Sequence, residues 1–332
     1  MLRDQPRDSS VLVTGAGGPA AIAVLKSLRA DPSVRLIAAD MDGWAAGLYL
    51  VPAADRVVIP AGGDPGFARA MLACCADLGA DVVIPTVDSE LRPLDAARAE
   101  FERAGVALML PPARALALTL DKLALARACA DVVRVPRTER LDEAVDPASW
   151  TYPVIVKPRT GSGSRDVTAI VSADELKSAL TTAEPGYLVQ EYLPGEEYSI
   201  DILADTDGRV VAGVPRVRSR VDSGVCVAGR TLHDCELERF GATVAVTVGL
   251  AYIGNVQVRR DVDGEPALLE VNPRAPGSLS LTIASGVDMP RLALDALRGR
   301  PLPEHAEFCE KAMVRFLDER FLDLSEISET VA

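Results

Sequence analysis

The chain is poor in histidine and in aromatic residues, and its cysteines form no motif. His233 and His305 are the only histidines among its 332 residues, so a multi-histidine metal site is excluded, and a Ser-His-Asp triad would have to use one of these two. The six cysteines show no Cys-x-x-Cys spacing, which argues against the usual zinc and redox motifs. Free thiols in a reducing cytoplasm are the simplest interpretation.

Long apolar runs and basic patches are also missing. No segment approaches the roughly 20 apolar residues of a membrane-spanning helix, and residues 1–10 lack the apolar region of a signal peptide. Asp and Glu number 48 against 35 Lys and Arg, which gives a formal net charge of −13. This balance predicts neither a nucleic acid nor an anionic membrane as the main partner. The length predicts two or three domains.

Residues 11–112 alternate short apolar strands with helices. The predicted strands span 11–14, 34–39, 56–59, 81–85 and 106–110, and the predicted helices span 19–29, 67–78 and 91–104. Strands that alternate with helices are typical of a doubly wound parallel sheet. We therefore expect an α/β domain that ends at Pro111-Pro112.

A glycine-rich turn, Gly15-Ala16-Gly17-Gly18-Pro19-Ala20, follows the first predicted strand. With Asp40 at the end of the second strand, it matches the dinucleotide-binding fingerprint, so an NAD-dependent dehydrogenase is one alternative. None of the six tyrosines is followed by a lysine four residues later, so the catalytic pair of a short-chain dehydrogenase is absent.

Beyond residue 113 strands dominate. They are predicted at 152–158, 167–171, 188–191, 198–204 and 209–216, with a helix at about 237–250. Lys157 lies at the end of the first of these strands, just before a glycine- and serine-rich loop at 160–166. Backbone N–H groups of small residues can close around phosphate oxygens, and a lysine supplies positive charge. An ordinary hairpin with an exposed lysine is the alternative.

The segment Gln190-Glu191-Tyr192-Leu193-Pro194-Gly195-Glu196-Glu197 joins two predicted strands. A strand that stops at Pro-Gly can present backbone donors and acceptors to a purine edge, and a glutamate just beyond it can hold a ribose. A solvated acidic loop between two strands is the alternative.

A hairpin is predicted around Asp263-Gly264, which is a strong two-residue turn signal. With that turn, Val262 faces Glu265 and Gln257 lies opposite Glu270. Side chains in a strand alternate between faces. The predicted core face carries Val256, Val258, Leu269 and Val271, and the other face carries Gln257, Arg259, Glu270 and Asn272. A carboxylate between two amide oxygens suits Mg²⁺, although a solvated sheet face has the same pattern.

These motifs, in this order, resemble the ATP-grasp superfamily. The resemblance covers roughly residues 11–317. Within the superfamily, the chain is most similar to the synthetase halves of the carbamoyl-phosphate synthetase large chain and to ligases like the pyrrolysine-biosynthesis ligase. Its most specific pieces are Asn255-Val256-Gln257 with Glu270-Val271-Asn272-Pro273-Arg274, together with Lys157-Pro158-Arg159.

The resemblance implies a role for each matching residue. The implied nucleotide ligands are Lys122 and Lys157 at the phosphates, a closing loop with Thr160, Gly161, Ser162, Gly163 and Ser164, Glu191 and Leu193 at the adenine, and Glu197 at the ribose. The implied metal ligands are Gln257, Glu270 and Asn272, which would hold Mg²⁺ or Mn²⁺. Arg274, with Lys157, would contact the phosphate during transfer.

The chain departs from the family pattern in two places. Arg165-Asp166 stands where relatives usually have Arg-Gly, which adds bulk and charge to the closing loop. Ala275-Pro276-Gly277-Ser278 replaces the second basic residue that carbamoyl-phosphate synthetases place after Asn-Pro-Arg. This second departure argues against bicarbonate chemistry.

Four further positions are candidates for substrate contacts. Glu90 follows a strand of the predicted parallel sheet, where ligands bind, although an acid in a first helical turn is also ordinary. Arg216, Arg218 and Arg220 alternate along one strand and could hold a carboxylate, pair with the many acids or face solvent. Ser278 lies just after Arg274. His233 could touch phosphate, assist deprotonation of an amine or be structural.

The sequence therefore predicts an ATP-grasp carboxylate–amine ligase that uses ATP and Mg²⁺ and forms an acyl phosphate. The expected fold is a doubly wound parallel sheet at 1–112, followed by two ATP-grasp lobes at 113–185 and 186–332. The expected substrates are a small carboxylate and a small amine, in the cytoplasm. The prediction leaves open a homodimer, and a phosphotransferase that releases its phosphorylated product is the alternative within the superfamily.

Overall fold

The computed structural model describes residues 9–142, 144–161, 166–182, 185–222 and 225–328. These residues form three sheets of five, four and six strands, with helices packed on them. No described helix is long and apolar enough to cross a membrane. All six cysteines are unpaired, as predicted.

The first sheet is parallel, with the strand order β3-β2-β1-β4-β5. Its strands are β1 (Ser9–Val13), β2 (Val34–Asp40), β3 (Arg56–Val58), β4 (Val82–Ile84) and β5 (Ala107–Leu108). Its helices are α1 (Pro19–Leu28), α2 (Phe67–Leu78), α3 (Asp88–Ala96) and α4 (Arg98–Arg103). The direction of winding changes between β1 and β4, which leaves a crevice at their carboxyl ends. Doubly wound sheets bind ligands at such a crevice.

The doubly wound sheet is confirmed, but most predicted elements differ in extent by one or more residues, and two of these differences change the architecture. The helix predicted at 91–104 is two helices, because Ala97 leaves the helical conformation at φ −95° and ψ 6°. After this break, α4 places Phe101 in the core, where it is fully buried. The strand predicted at 106–110 pairs only over Ala107–Leu108.

The second sheet is antiparallel, with the strand order β6-β9-β7-β8. Two helices precede it, α5 (Ala113–Thr119) and α6 (Lys122–Cys129). The elements of this sheet are β6 (Thr138–Arg140), β7 (Val154–Pro158), β8 (Thr168–Ile170), α7 (Ala173–Thr182) and β9 (Tyr187–Glu191). Val154 and Val156 pack on Leu176 of α7 in a small core. The other face of β7 carries Lys157.

The third sheet has the strand order β14-β13-β10-β11-β12-β15. Its elements are β10 (Glu197–Ala204), β11 (Val210–Asp222), β12 (Val225–Thr231), α8 (Cys235–Val248), β13 (Tyr252–Arg260), β14 (Pro266–Asn272), α9 (Leu279–Ala284), α10 (Met289–Leu297) and β15 (Ala312–Val314). One face is apolar and packs on α8 through Ile200, Val256 and Val258. The opposite face is polar over most of β10, β11, β13 and β14.

The first and third sheets share an apolar core. Leu25 and Leu28 of α1 belong to one buried cluster with Leu203 of β10 and Leu279 of α9. Helix α1 also packs on α10. This shared core holds the crevice between β1 and β4 against the polar face of the third sheet.

The hairpin of β13 and β14 pairs Gln257 with Glu270 as predicted, although the predicted turn is wrong. The backbone N–H of Asp261 donates to Glu265, which closes a three-residue loop with Gly264 at φ +85°. A bulge then adds one residue to β14, because Val258 pairs with Leu268. The longer loop shifts the strand register by one residue and the bulge shifts it back, so Gln257 still pairs with Glu270.

The bulge also corrects the predicted core. Val256, Val258 and Val271 are buried as expected, but Leu268, rather than Leu269, packs into the core. Leu269 is the extra residue of the bulge, so its side chain leaves the core and lines a cavity. A bulge reverses the facing of side chains beyond it, since strand periodicity is two.

Candidate active site

A first cavity of about 830 Å³ lies between the second sheet and the hairpin of β13 and β14. It brings together most of the predicted nucleotide ligands. Its polar lining includes Lys122, Lys157, Thr160, Gly161, Glu191, Glu197, Gln257, Glu270 and Asn272. Its apolar lining includes Ile155, Tyr187, Tyr192, Leu193 and Leu269. One end therefore suits a flat apolar ring and the other suits anions.

Lys157 is buried at the polar end of the first cavity. Its Nζ donates to Oε1 of Gln190 at 2.7 Å, and the Gln190 amide in turn donates to Thr138. Burial lowers the pKa of Lys157 to about 8, although nearby Glu270 opposes this shift. The exposed lysine of the alternative interpretation is thus not observed. A phosphate in the cavity would stabilise the charged form of Lys157.

Lys122 approaches the same end from the first turn of α6. Asp121 caps this helix by accepting from the N–H groups of Leu123 and Ala124, and it also binds Arg159 at 2.5 Å. The Lys122 Nζ donates to the Gly161 carbonyl at 2.6 Å and lies 3.9 Å from Oε2 of Glu270. The cap therefore sets the position of the lysine.

Glu191 and Leu193 lie at the apolar end. The Glu191 side chain is held by Arg134 at 2.5 Å and by the Arg137 backbone N–H at 3.0 Å, so any contact with a ring would come from the backbone. Leu193 is buried, and its N–H has no hydrogen-bond partner among the described residues. A free N–H at a buried apolar position suits the polar edge of a purine.

Gln257, Glu270 and Asn272 line both the first cavity and a second one. Asn272 Nδ2 donates to Oε1 of Glu270 at 3.2 Å, and Lys122 is close to the other carboxylate oxygen. The donor set of one carboxylate and two amides fits Mg²⁺, which prefers oxygen ligands and usually completes its shell with water and phosphate. Among the described residues no cluster of three or more His, Cys, Asp or Glu side chains is suited to a metal.

The second cavity, of about 760 Å³, lies between the carboxyl ends of β1 and β4 and the polar face of the third sheet. The first sheet contributes Gly15, Gly17, Gly18, Asp40 and Glu90 to its lining. The third sheet and the turn after β14 contribute Ser199, Arg216, Arg218, Asn255, Arg274 and Ser278. The two cavities meet at the predicted metal ligands.

Arg274 is held by Asp88, the first residue of α3. Two hydrogen bonds join the guanidinium to the carboxylate, at 2.8 Å from Nε and 2.5 Å from Nη2. Asp88 lines both cavities. The sequence motifs do not indicate Asp88 as a partner of Arg274, because the signal for Asp88 is only its position at the carboxyl end of a parallel strand.

Arg216 is almost completely buried and forms a two-point ion pair with Asp201, at 2.9 Å and 2.6 Å. Asp201 also accepts from Asn255 at 2.8 Å and from Thr282 at 2.5 Å. No sequence motif indicated Asp201, which lies within an apolar strand. Of the interpretations left open for this arginine, pairing with an acid is the one observed, although Arg216 still lines the second cavity.

Arg218 and Arg220 differ from Arg216. Arg218 pairs with Glu197 and lines the second cavity. The β11–β12 register shifts between Val217 and Arg220, and Arg220 is exposed. The three arginines therefore do not form one surface.

Glu90 is buried at the end of the second cavity formed by the first sheet. One of its oxygens, Oε2, accepts from the Thr14 hydroxyl and, at 3.4 Å, from the Val87 N–H. Burial raises the pKa of Glu90 to about 7, although these hydrogen bonds oppose the shift. The bond from the Val87 N–H is the capping contact expected of an ordinary first-turn acid, so that alternative is also observed, and burial with the Thr14 contact is what distinguishes Glu90.

The glycine-rich turn also lines the second cavity, but Asp40 is occupied. Its carboxylate accepts from the Gly17 N–H at 2.7 Å and from the Asp42 N–H at 3.0 Å. In a dinucleotide site this acid would bind a ribose instead. The geometry therefore favours a structural role for Asp40 over the dehydrogenase alternative.

The remaining predicted residues are divided. Thr160 and Gly161 line the first cavity, whereas Ser162, Gly163, Ser164 and Arg165 lie outside the described residues. Ser278 is buried and lines the second cavity. His233 lines neither cavity and stacks on Phe308 with ring centroids 4.1 Å apart.

Two family models match separate parts of the chain. Residues 11–109 match "PylC-like, N-terminal domain", and residues 183–319 match "ATP-grasp in the biosynthetic pathway with Ter operon". Residues 183–319 are therefore similar to an ATP-grasp domain. The resemblance inferred from the sequence motifs is thereby confirmed.

Individual proteins extend this result. The carbamoyl phosphate synthase large chain of Clostridium acetobutylicum is 30% identical over 166 residues, which are 46% of this chain and 16% of that protein, so the chain spans a small part of that relative. Biotin carboxylase from Campylobacter jejuni, solved with a β,γ-ATP complex, has a TM-score of 0.73 at 18% identity, covering 90% of this chain and 73% of that one. The L-amino acid ligase from Bacillus licheniformis has a TM-score of 0.65 at 15% identity, covering 89% of this chain and 75% of that one. These structural likenesses establish the ATP-grasp fold.

Proposed function

We propose that the protein is an ATP-dependent ligase that joins a carboxylate to an amine through an acyl phosphate. The observation that carries this proposal is the wall formed by Gln257, Glu270 and Asn272, which the two cavities share. A nucleotide in the first cavity would place its terminal phosphate at that wall, and an acceptor in the second cavity would meet it there.

The first cavity supports ATP as the nucleotide. Its apolar end, with the free N–H of Leu193, would take the adenine, and Glu197 would take the ribose. Lys122 and Lys157 would neutralise the phosphates at the opposite end. Phosphoryl transfer needs mainly positioning and charge stabilisation, so few titrating residues are required.

Gln257, Glu270 and Asn272 would hold Mg²⁺, or Mn²⁺ with the same oxygen ligands. Held by these three side chains, a divalent cation would supply positive charge to the transferred group. Glu270 supplies the only formal negative charge among these three side chains. Arg274 would contact the transferring phosphate, in the orientation that its ion pair with Asp88 provides.

The polar face of the third sheet supports a carboxylate acceptor beside this wall. Arg216, Ser199, Gln257 and Glu270 form one row across β11, β10, β13 and β14. A carboxylate over Ser199 would have Arg216 on one side and the metal ligands on the other. Its oxygen would attack the terminal phosphate, and an amine would then displace phosphate from the acyl phosphate to give an amide.

An assay of ADP release with pools of carboxylates and amines, read by mass spectrometry, tests the proposal. We expect ATP- and Mg²⁺-dependent release of ADP together with a product that has the mass of an amide. A product that retains phosphate would support the phosphotransferase alternative instead. Glu270→Gln should abolish turnover without loss of folding, because it removes charge from the metal ligands but leaves the core untouched. Near-normal ADP release by that variant would contradict the metal assignment.

The substrates and surroundings of the enzyme also belong to this proposal. We expect small-molecule substrates rather than nucleic acid, given the net charge of −13. The unpaired cysteines fit a reducing compartment such as the cytoplasm. A homodimer stays a prediction.

A further inference from the structure

The second cavity has an uneven distribution of charge. Each arginine in its lining already holds a carboxylate, in the pairs Arg216–Asp201, Arg218–Glu197 and Arg274–Asp88. The wall from the first sheet instead carries Asp40, Asp42 and Glu90. Within the described ranges, none of these three acids forms an ion pair with a lysine or arginine. The charge left for a ligand on this wall is therefore negative, which favours a cationic group.

Glu90 is the most buried of these acids, with 4% of its surface exposed. The Thr14 hydroxyl and the Val87 N–H both donate to Oε2, and the Thr86 backbone N–H also favours the charged form of Glu90. Gly62 lies against the Glu90 side chain, where a Cβ would come within 2.8 Å of Cγ. A carboxylate so largely removed from water is costly to ionise, so a cationic donor from a ligand would stabilise its charged form.

The opposite wall has unused hydroxyl groups. Ser199 and Ser278 are 3% and 5% exposed, line the same cavity, and have side-chain hydroxyls without a hydrogen-bond partner among the described residues. Ser199 pairs directly with Gln257 in the sheet. These hydroxyls suit the oxygens of the acid, next to the site of phosphoryl transfer. The cavity thus has a wall for oxygen atoms and a separate wall for a cation.

We propose that Glu90 is the binding site of the amine substrate and the acceptor of its proton. The inference rests on the proposed ligase function and names the chemistry of the second substrate as a primary aliphatic ammonium group. Glu90 Oε1 takes a proton from the ammonium, and the freed nitrogen attacks the acyl phosphate. The new C–N bond forms as the C–O bond to phosphate breaks, so inorganic phosphate leaves and the second amine proton passes to solvent or phosphate.

Hydroxylamine separates the two half-reactions. It is largely uncharged near neutral pH and traps acyl phosphates as hydroxamates, so it needs neither a cation site nor a base. Wild-type enzyme would be incubated with ATP, Mg²⁺ and each acid of the carboxylate pool, first with hydroxylamine and then with amino acids or aliphatic diamines. The two amine sets identify which source of the ammonium the cavity accepts.

For Glu90→Gln, we expect kcat/KM for the amine to fall by about 100-fold or more, the usual contribution of a proton acceptor, and hydroxamate formation to fall less than about 3-fold. Glu90→Asp keeps the charge and should keep more amide formation than Glu90→Gln. Glu102→Gln, an exposed acid of α4 outside both cavities, is the matched control for a change of charge.

Three outcomes overturn the inference. Equal losses of amide and hydroxamate formation in Glu90→Gln would show that Glu90 acts before the amine step or only on folding. Wild-type amide formation in that variant would exclude a role altogether. Absence of hydroxamate from wild-type enzyme with every acid would refute the ligase proposal itself, and the amine site with it.

Discussion

Breaking the buried ion pair between Arg216 and Asp201 should lower the free energy of unfolding more than a substitution at the surface does. Arg216→Met keeps an unbranched side chain but removes the guanidinium and both of its hydrogen bonds to Asp201. Asp201 is fully buried, so its carboxylate would stay out of water, and the donors left to it among the described residues are Asn255 and Thr282. The remaining donors are neutral and do not replace the lost positive charge.

The magnitude follows from the burial of the pair. Removing one partner of a buried ion pair costs about 3–5 kcal/mol, because the other charge is left uncompensated. The two surviving hydrogen bonds place the expected loss near the lower end, at about 3 kcal/mol. For a domain of this size, that corresponds to a decrease in Tm on the order of 10 °C.

Urea titration followed by circular dichroism measures this loss. Arg218→Met is the matched control, because its pair with Glu197 is less buried and should contribute less than about 1 kcal/mol. The double variant Arg216→Met/Asp201→Asn also removes the unpaired charge of Asp201, so it should recover part of the lost free energy of unfolding. If Arg216→Met loses less than about 1 kcal/mol, the buried pair does not stabilise the third sheet as argued. Because of this expected instability, Arg218→Met is the cleaner test of a substrate contact.

Three further outcomes are expected. Lys157→Ala should weaken ATP binding, measured by calorimetry, by about 1.5–3 kcal/mol, the value of a charge-assisted contact. Lys177→Ala, which changes an exposed lysine outside the cavities, should leave ATP binding unchanged. Equal ATP affinities of Lys157→Ala and the wild type would contradict the phosphate role of Lys157. Asp88→Asn should lower kcat by about 10- to 100-fold with little change in ATP affinity, since Arg274 loses its two-point partner; an unchanged kcat would refute this. Glu90 has a pKa raised from 4.5 to about 7 in the folded protein, so its neutral form is stabilising below pH 4.5 and this stabilisation is lost as the pH rises through 7. Glu90→Gln should therefore gain stability relative to wild type on going from pH 5 to pH 8, by about 3 kcal/mol, and a pH-independent difference in urea titrations would contradict the burial of a charge.

The local patterns of the sequence determined the parallel sheet and the facing of Gln257 and Glu270. Alternation of strands and helices, and the two-residue period within a strand, depend on neighbouring residues only. The ATP-grasp resemblance was likewise carried by short motifs such as Glu270-Val271-Asn272-Pro273-Arg274. These features were therefore readable without the fold.

The loop length and the bulge of the hairpin could not be predicted from the sequence. The Asp-Gly signal predicted a two-residue turn, but the chain uses a three-residue loop and a bulge, and only the pairing of Gln257 with Glu270 survived. The displaced Leu269 lies in the first cavity as a result. A bulge depends on what both faces of the sheet must pack against, which local propensity does not encode.

Only the tertiary structure decided which charges are paired and which are left for a ligand. Asp88 and Arg274 are 186 residues apart in the chain, and Thr14 lies 76 residues from Glu90. Such partners meet because α1 packs on the first sheet and on α9 and α10, which joins the first and third sheets in one core. The sequence supplied the ionisable residues, but burial and distance set their charge states, because the energy of a charge depends on its solvent and its nearest partners.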